Sequence, residues 1–292
     1  MTALNKRMFR FRLEFFRRTQ TYKTNKKMKQ YLTPYRILPG LSLLCAASTL
    51  MAQNTYTINN STADAFLSGA NPTLNYGAAG TLAIAPASSA KGEFDSVLMF
   101  NTASAVSQFN TTYGAGNWTI TSLMLSLSSN YGIQGEQPGN ALFNTINAGS
   151  FGIDWLANNT WTEGAGSGTG TPGYPNNSAV TFDSISLLQS SGYDSLGTYA
   201  YTPPGNNNNV YLNYSLSLDP NLVANAAAGG NVSLYFYTAD NQVSDLFNSR
   251  SYSTGHPELT FTVTEAPEPT TAALVTASLG GFLLLRRRAM IK

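Results

Sequence analysis

The stretch Trp118–Leu127 reads WTITSLMLSL, and its side chains alternate with a period of two residues. One set of alternate positions is largely polar (Ile120, Ser122, Met124, Ser126 and Ser128), and the other is largely leucine (Thr121, Leu123, Leu125 and Leu127). Successive side chains of a β-strand point to opposite faces of a sheet, so this pattern is typical of a strand buried on one face. It predicts one layer of a β-sandwich.

Similar short runs, separated by turns rich in Gly, Asn, Pro and Ser, fill residues 53–264. In Val232–Thr238, Val232, Leu234 and Phe236 alternate with Ser233, Tyr235 and Tyr237. The other predicted strands are Tyr56–Ile58, Ala63–Leu67, Thr81–Ala85, Phe94–Phe100, Val180–Ile185, Val210–Leu218 and Leu259–Thr264. We therefore predict one large all-β domain over residues 53–264.

A single short helix is expected within this domain, over Asn221–Ala228. Asp219 is a favourable cap, Pro220 suits the first turn, and Gly229-Gly230 ends the segment. Residues 164–178 and 203–209 are expected to form loops, because they are rich in Gly, Pro, Asn and Ser.

The formal net charge of +2, from 17 basic and 15 acidic residues, hides a strong segregation of charge. Residues 1–36 carry eleven bases and one acid, and residues 286–292 carry four more bases. Between them only Lys91 and Arg250 oppose fourteen acids, a net charge of −12. Such asymmetry indicates targeting segments around an acidic ectodomain. An acidic middle also lacks the basic surface that nucleic-acid binding needs, so no nucleic-acid partner is expected.

The N-terminal segment, residues 1–52, is interpreted as an extension followed by a signal-peptide helix. Residues 37–52, ILPGLSLLCAASTLMA, are uncharged and apolar, and a basic flank precedes them. Cleavage is expected after Ala52 or after Ala47. Met28 opens a signal peptide of ordinary length, so we expect it to be the start, with residues 1–27 a mis-called start or a long basic region. A mitochondrial presequence is the alternative for residues 1–27.

The only cysteine, Cys45, lies in this apolar run. A lipoprotein signal is disfavoured because Leu44 stands where a small residue is expected. Removal of the leader would leave a mature chain that contains no cysteine, and therefore no disulfide.

The C-terminal segment, residues 265–292, contains three elements in a fixed order: Pro267-Glu268-Pro269, then the uncharged run Thr270–Leu285, then Arg286, Arg287 and Arg288. A 16-residue helix is about 24 Å long, slightly shorter than a bilayer core of about 30 Å, and snorkelling arginines can extend its reach. We predict one transmembrane helix here. An ordinary stop-transfer anchor would contain the same helix and arginines.

These three elements resemble the PEP-CTERM sorting signal. The resemblance implies that the chain is a substrate of an exosortase, a membrane-embedded cysteine transpeptidase that cuts near the tripeptide. The expected partners are therefore exosortase, the secretion machinery and, before processing, the membrane. The expected location is an inner-membrane-anchored precursor in a Gram-negative-type bacterium, released to the cell surface or secreted.

Three further blocks resemble a DNRLRE-type domain. They are Asp64-Ala65-Phe66-Leu67 with Asn71-Pro72, Asn75-Tyr76-Gly77, Thr81-Leu82 and Ser96–Phe100; then Trp161-Thr162-Glu163-Gly164 with Gly166 and Gly168; and Ser249-Arg250 with Pro257-Glu258-Leu259-Thr260. The resemblance implies a carbohydrate-binding-module-like jelly roll, often an accessory to polysaccharide enzymes. Ser96–Phe100 lacks the arginine often found in that strand. The resemblance therefore supports the jelly-roll fold more strongly than it supports polysaccharide as the binding partner.

No catalytic residue is predicted. His256 is the only histidine, it precedes a proline, and no nucleophile motif surrounds it. The alternative is a carbohydrate-active enzyme, a glycoside hydrolase or lyase that uses Glu163 and a second carboxylate, because glycoside hydrolysis needs two carboxyl groups. The competing interpretation is that Glu163 orders a glycine-rich loop, and we favour this structural role over the catalytic one.

Trp118, Trp155, Trp161 and Tyr76 are the candidate glycan-binding residues, since sugar rings stack on exposed aromatic faces. Core packing competes with this interpretation, because sandwich cores also need large aromatics. No cofactor or metal site is predicted. Calcium is the weaker alternative, with Asp64, Asp95, Asp154 or Asp240 as ligands, although no EF-hand spacing occurs. The prediction is thus a noncatalytic surface or extracellular-matrix protein.

Overall fold

The computed structural model describes residues 53–130, 146–166, 179–205 and 209–266, which form eleven strands and three α-helices. The strands are β1 (Gln53–Ile58), β2 (Ala63–Ser68), β3 (Thr81–Ile84), β4 (Phe94–Asn101), β5 (Trp118–Ser128), β6 (Gly149–Leu156), β7 (Tyr193–Tyr201), β8 (Tyr211–Leu216), β9 (Asn231–Thr238), β10 (Asp245–Asn248) and β11 (Glu258–Glu265). The helices are α1 (Ala103–Tyr113), α2 (Ile185–Ser190) and α3 (Pro220–Ala227).

The predicted segments at the two ends, residues 1–52 and residues 267–292 with the sorting motif, lie outside the described residues. So does most of the predicted loop 164–178. None of the helices in the described ranges has the length and hydropathy that a membrane crossing requires.

The strands pair in antiparallel sheets. One sheet has the order β1-β11-β5-β8, a second has the order β2-β4-β9-β6-β7, and β10 pairs with β3. Buried side chains of both larger sheets belong to one core, with Leu123 and Phe261 from the first and Leu98, Phe151 and Phe236 from the second. The all-β prediction is therefore confirmed, and the shared core is consistent with a sandwich.

The central strand β5 contains a bulge that changes which side chains face the core. Ser122 pairs with Thr262 of β11 and Ile120 pairs with Val263, so Thr121 is the extra residue on β5. Leu123 and Leu125 are buried as predicted, but Ile120 is buried with them instead of sharing the face of Ser122. A bulge shifts the alternation by one residue, and a strict period of two could not show it.

The five-stranded sheet is covered on its outer face as well. In β9, Val232, Leu234 and Phe236 face the main core, while Tyr235 belongs to a second buried cluster with Val97 and Trp161. Much of the cover comes from the segment after β6, which contributes Val180 and Leu188. The half-buried pattern predicted for β9 is therefore wrong at Ser233 and Tyr235, which are 0% and 7% exposed.

The segment Val180–Ile185 is not a strand. Phe182–Ser184 forms a 3₁₀ turn that leads into α2, and the Thr181 backbone N–H donates to the Ser184 side chain. Its apolar side chains pack onto the outer sheet face, which explains why the sequence resembled a strand.

The predicted helix over Asn221–Ala228 is confirmed as α3. The Asp219 carboxylate accepts hydrogen bonds from the backbone N–H groups of Asn221 and Leu222. The sequence did not predict α1, in which Ala105 and Phe109 are buried four residues apart and hold an otherwise polar helix on the core.

Candidate functional site

Three polar side chains from distant parts of the chain meet beside β2. Asp64 lies in β2, Glu163 follows β6, and Arg250 follows β10. The Arg250 Nη1 donates to Glu163 Oε2 at 2.6 Å, and the Arg250 backbone N–H donates to Asp64 Oδ2 at 2.6 Å. We call this cluster the Asp64–Glu163–Arg250 junction.

Asn75 fixes the loop that carries Glu163. Its Nδ2 donates to the carbonyl oxygens of Glu163 at 2.7 Å and Val180 at 2.8 Å, and its Oδ1 accepts from the Gly166 N–H at 2.9 Å. A Cβ on Gly166 would overlap the Asn75 backbone. The buried amide thus joins three segments, and the glycine permits their close approach.

Burial controls the electrostatics of the junction. It raises the pKa of Asp64 to about 7, against the hydrogen bonds from Arg250 and Ser61 that lower it. Burial also raises the pKa of Glu163, and the attraction of the Arg250 guanidinium opposes that rise. The Glu163 side chain is 14% exposed and that of Arg250 is 38% exposed, so their ion pair is only partly shielded from water.

The junction is suited to holding three segments together. Glu163 does have a second carboxyl group nearby, as the enzyme alternative requires, but Asp64 is 0% exposed. A buried carboxyl cannot exchange a proton with a polysaccharide unless the fold opens. One Glu163 oxygen is also engaged by Arg250. The geometry therefore supports the interpretation in which Glu163 orders its loop.

The aromatic residues predicted to bind glycans do not share an open face. Trp155 and Trp161 are 8% and 5% exposed, and the Trp161 Nε1 donates to Ser233 Oγ at 3.0 Å. Trp118 is half-buried and donates to Asn110, while Tyr76 is half-buried and stacks on Phe66 with 4.4 Å between ring centroids. Trp155 and Trp161 are therefore core residues without an exposed stacking surface, whereas Trp118 and Tyr76 pack against the core and stay partly exposed.

The four aspartates considered as calcium ligands lie in separate environments. Asp64 belongs to the junction, Asp95 accepts from Tyr235, Asp154 accepts from Tyr237, and Asp240 accepts from backbone N–H groups of its own turn. Within the described ranges, no group of three or more His, Cys, Asp or Glu residues is arranged to hold a metal ion.

A second polar cluster, which the sequence did not reveal, lies on the outer face of the five-stranded sheet. The Tyr235 hydroxyl donates to Asp95 Oδ2 at 2.6 Å, and the Tyr237 hydroxyl donates to Asp154 Oδ1 at 3.2 Å. The two tyrosine rings are stacked, with centroids 5.5 Å apart and planes at 22°. The alternating tyrosines of β9 were the one sequence feature that pointed to this cluster. Their acidic partners could not be predicted, because Asp95 lies on β4 and Asp154 on β6.

Stability is expected to fall as the pH rises from about 4 to about 7. Burial raises the pKa of both Asp64 and Asp95 from 3.8 to about 7, and burial raises that of Asp245 well above its usual value. In this interval the unfolded chain has lost protons that the folded chain retains, which favours unfolding. We expect the thermal midpoint to be about 5–10 °C higher at pH 5 than at pH 8, measured by calorimetry.

Asp95→Asn is expected to flatten this pH dependence, because the amide oxygen can still accept from Tyr235 while the titrating group is gone. The exposed Asp183→Asn variant is the matched control and should retain the slope of the wild type. A midpoint that increases between pH 5 and pH 8 would show that burial does not control these carboxyl groups.

A scan against protein-family models finds no match for this chain. A search of curated proteins finds no significant match either.

Proposed function

We propose that this chain is a noncatalytic protein that is exported and sorted by an exosortase, and that it acts at the cell surface or in the extracellular matrix of a Gram-negative-type bacterium. The observation that carries the proposal is the order Pro267-Glu268-Pro269, apolar run Thr270–Leu285, and Arg286, Arg287 and Arg288. The basic flank and apolar run at the other end support export, and the acidic middle supports an extracytoplasmic domain.

The finer fold that we propose for the ectodomain is a jelly roll of the DNRLRE type. Its two larger sheets are linked by chain crossings, since β4 and β5 lie in different sheets, as do β5 and β6. The three blocks that carry the resemblance contribute Asp64, Glu163 and Arg250, which meet in one junction. Shared contacts among these blocks support a common structural role for them.

We further propose that the ectodomain binds polysaccharide without cleaving it. The burial of Asp64 and the pairing of Glu163 with Arg250 argue against acid–base chemistry in the junction. The enzyme alternative retains one favourable observation, the closeness of the two carboxyl groups. Reducing-end release that is lost in Glu163→Gln and kept in His256→Ala would support the enzyme.

The sorting proposal is tested by fractionating cells that express the full chain or a chain ending at Thr264. The full chain is expected in the membrane as a precursor and at the surface or in the medium after processing. The truncated chain should be exported and released without an anchored intermediate. If both chains fractionate identically, the C-terminal segment has no sorting role.

A host that lacks exosortase separates sorting from simple anchoring. There, the full chain is expected to accumulate as the membrane precursor, because nothing cuts near Pro267-Glu268-Pro269. An ordinary stop-transfer anchor would fractionate in the same way in both hosts. Replacing Glu268 with alanine should reproduce the exosortase-deficient result, whereas Glu265→Ala, just before the motif, should leave processing unchanged.

A further inference from the structure

The outer face of the five-stranded sheet is covered near β2 and β4 but carries exposed side chains at its other edge. Along β7, Tyr193 is 53% exposed, and Ser195 is exposed beside it. On the neighbouring strands, Tyr237 is half-buried and hydrogen-bonds to Asp154. We call Tyr193, Ser195, Asp154 and Tyr237 the tyrosine platform.

The Tyr237 ring is held in place by its neighbours. Gly152 is its partner across β6 and β9, and a Cβ at that position would overlap the ring. Tyr235 stacks against Tyr237, with 5.5 Å between the ring centroids, and the Tyr237 hydroxyl donates to the Asp154 carboxylate. A ring fixed in this way loses little conformational entropy when a ligand stacks on it.

The two platform tyrosines lie at different points along the sheet. Tyr193 pairs with Leu156 of β6, four residues beyond Gly152, which underlies Tyr237. Four residues of a strand extend about 13 Å. The rings are therefore spaced to contact separate sugars of one extended chain, and the hydrogen-bonding groups Asp154 and Ser195 lie between them.

The chemistry of the platform fits an uncharged sugar chain. The face of an aromatic ring is electron-rich and attracts the C–H groups on the flat face of a pyranose. Carboxylate and hydroxyl groups can hydrogen-bond the sugar hydroxyls. The surroundings are acidic, since Asp194 lies near Asp154 and the middle of the chain carries a net charge of −12. Uronate or sulfate groups would be repelled.

We propose that the tyrosine platform is the polysaccharide-binding site, and that it takes an extended neutral polysaccharide several sugars long. This inference rests on the proposed polysaccharide-binding function and gives it a location and a ligand class. It also moves the site away from Trp155 and Trp161, which are buried.

The test is calorimetric titration of the full chain, purified in detergent, with hexasaccharides of β-1,4-linked glucose, mannose and xylose and with a hexamer of alginate. We expect binding to at least one neutral hexasaccharide and at least tenfold weaker binding of the alginate hexamer. Tyr193→Ala and Tyr237→Ala should each weaken neutral binding by about tenfold. Tyr211→Ala, which removes a tyrosine that is 39% exposed on the other sheet, is the matched control and should bind as the wild type does.

The remaining outcomes would contradict different parts of the proposal: the location of the site, polysaccharide binding itself, or the neutral class of ligand. If the wild type binds a neutral hexasaccharide and both platform variants bind equally well, the site is wrong while polysaccharide binding stands. Binding to none of the neutral chains would contradict the proposed polysaccharide binding itself. Equal affinity for alginate would contradict the neutral class. Because Tyr237 is partly packed, the thermal midpoint of each variant is measured, and Tyr193→Ala, a surface change, is decisive if Tyr237→Ala unfolds.

Discussion

Replacing Trp161 with alanine is expected to lower the free energy of unfolding by about 3–5 kcal/mol. Trp161 is 5% exposed and lies in the second buried cluster with Leu156 and Tyr235. Alanine would leave a cavity between the outer sheet face and its covering segment. It would also remove the donor to Ser233 Oγ, a buried hydroxyl.

The measurement for Trp161→Ala is chemical denaturation, compared with Tyr193→Ala. Because Tyr193 is 53% exposed, its truncation should change the free energy of unfolding by less than about 0.5 kcal/mol. The two variants should therefore separate stability from binding. A Trp161→Ala protein that is as stable as the wild type but no longer binds polysaccharide would identify Trp161 as a ligand residue, as the sequence first suggested.

Gly77→Ala is expected to destabilise the protein by about 3 kcal/mol or more, the upper end of the cost of overpacking. A Cβ on Gly77 would overlap the carbonyl oxygen and carbon of Glu163, which are backbone atoms and cannot swing away. The loop that holds Glu163 would have to move. We therefore expect the Arg250–Glu163 ion pair to break in this variant, together with the hydrogen bond from Asn75 to the Glu163 carbonyl.

Gly230→Ala is the matched control for Gly77→Ala. A Cβ on Gly230 would meet its nearest neighbour, Asn225 Nδ2, at 3.5 Å, an ordinary contact. Its effect on the free energy of unfolding should stay within about 0.5 kcal/mol. Denaturation of both variants by urea provides the comparison. Equal stability of the two variants would show that the Glu163 loop can relax around the added methyl group.

The sequence predicted the strands that stand out as short β-rich runs between turns, and only several of these runs alternate cleanly. Strand β5 is the clearest case, and even there the bulge at Thr121 changed the side on which Ile120 lies. Strand β6 was missed although Phe151, Ile153 and Trp155 alternate with Gly152 and Asp154, because Gly and Asp are unfavourable residues for a strand. Gly149 and Gly152 admit the Val243 backbone and the Tyr237 ring, and these neighbours are invisible in a local pattern.

The candidate site was predictable only in part, for a similar reason. The sequence indicated Glu163, but its partner Arg250 lies 87 residues further along the chain. Composition also counts aromatic rings without showing their burial. Trp155 and Tyr193 are both aromatic residues of this chain, yet one is 8% exposed and the other 53%.

The position of β11 has a mechanical consequence. It lies between β1 and β5, and the Ala266 N–H just beyond it donates to the Asn117 carbonyl. A pull on the chain beyond Ala266 therefore acts along β11, roughly perpendicular to hydrogen bonds on both of its sides. Those bonds carry the load together instead of breaking one at a time, so a domain tethered by this end should resist shear better than one tethered through an edge strand. Because Gln53 is the register partner of Thr264, the first strand starts beside the end of β11, so a pull on both of these chain ends would act at the same edge of that sheet.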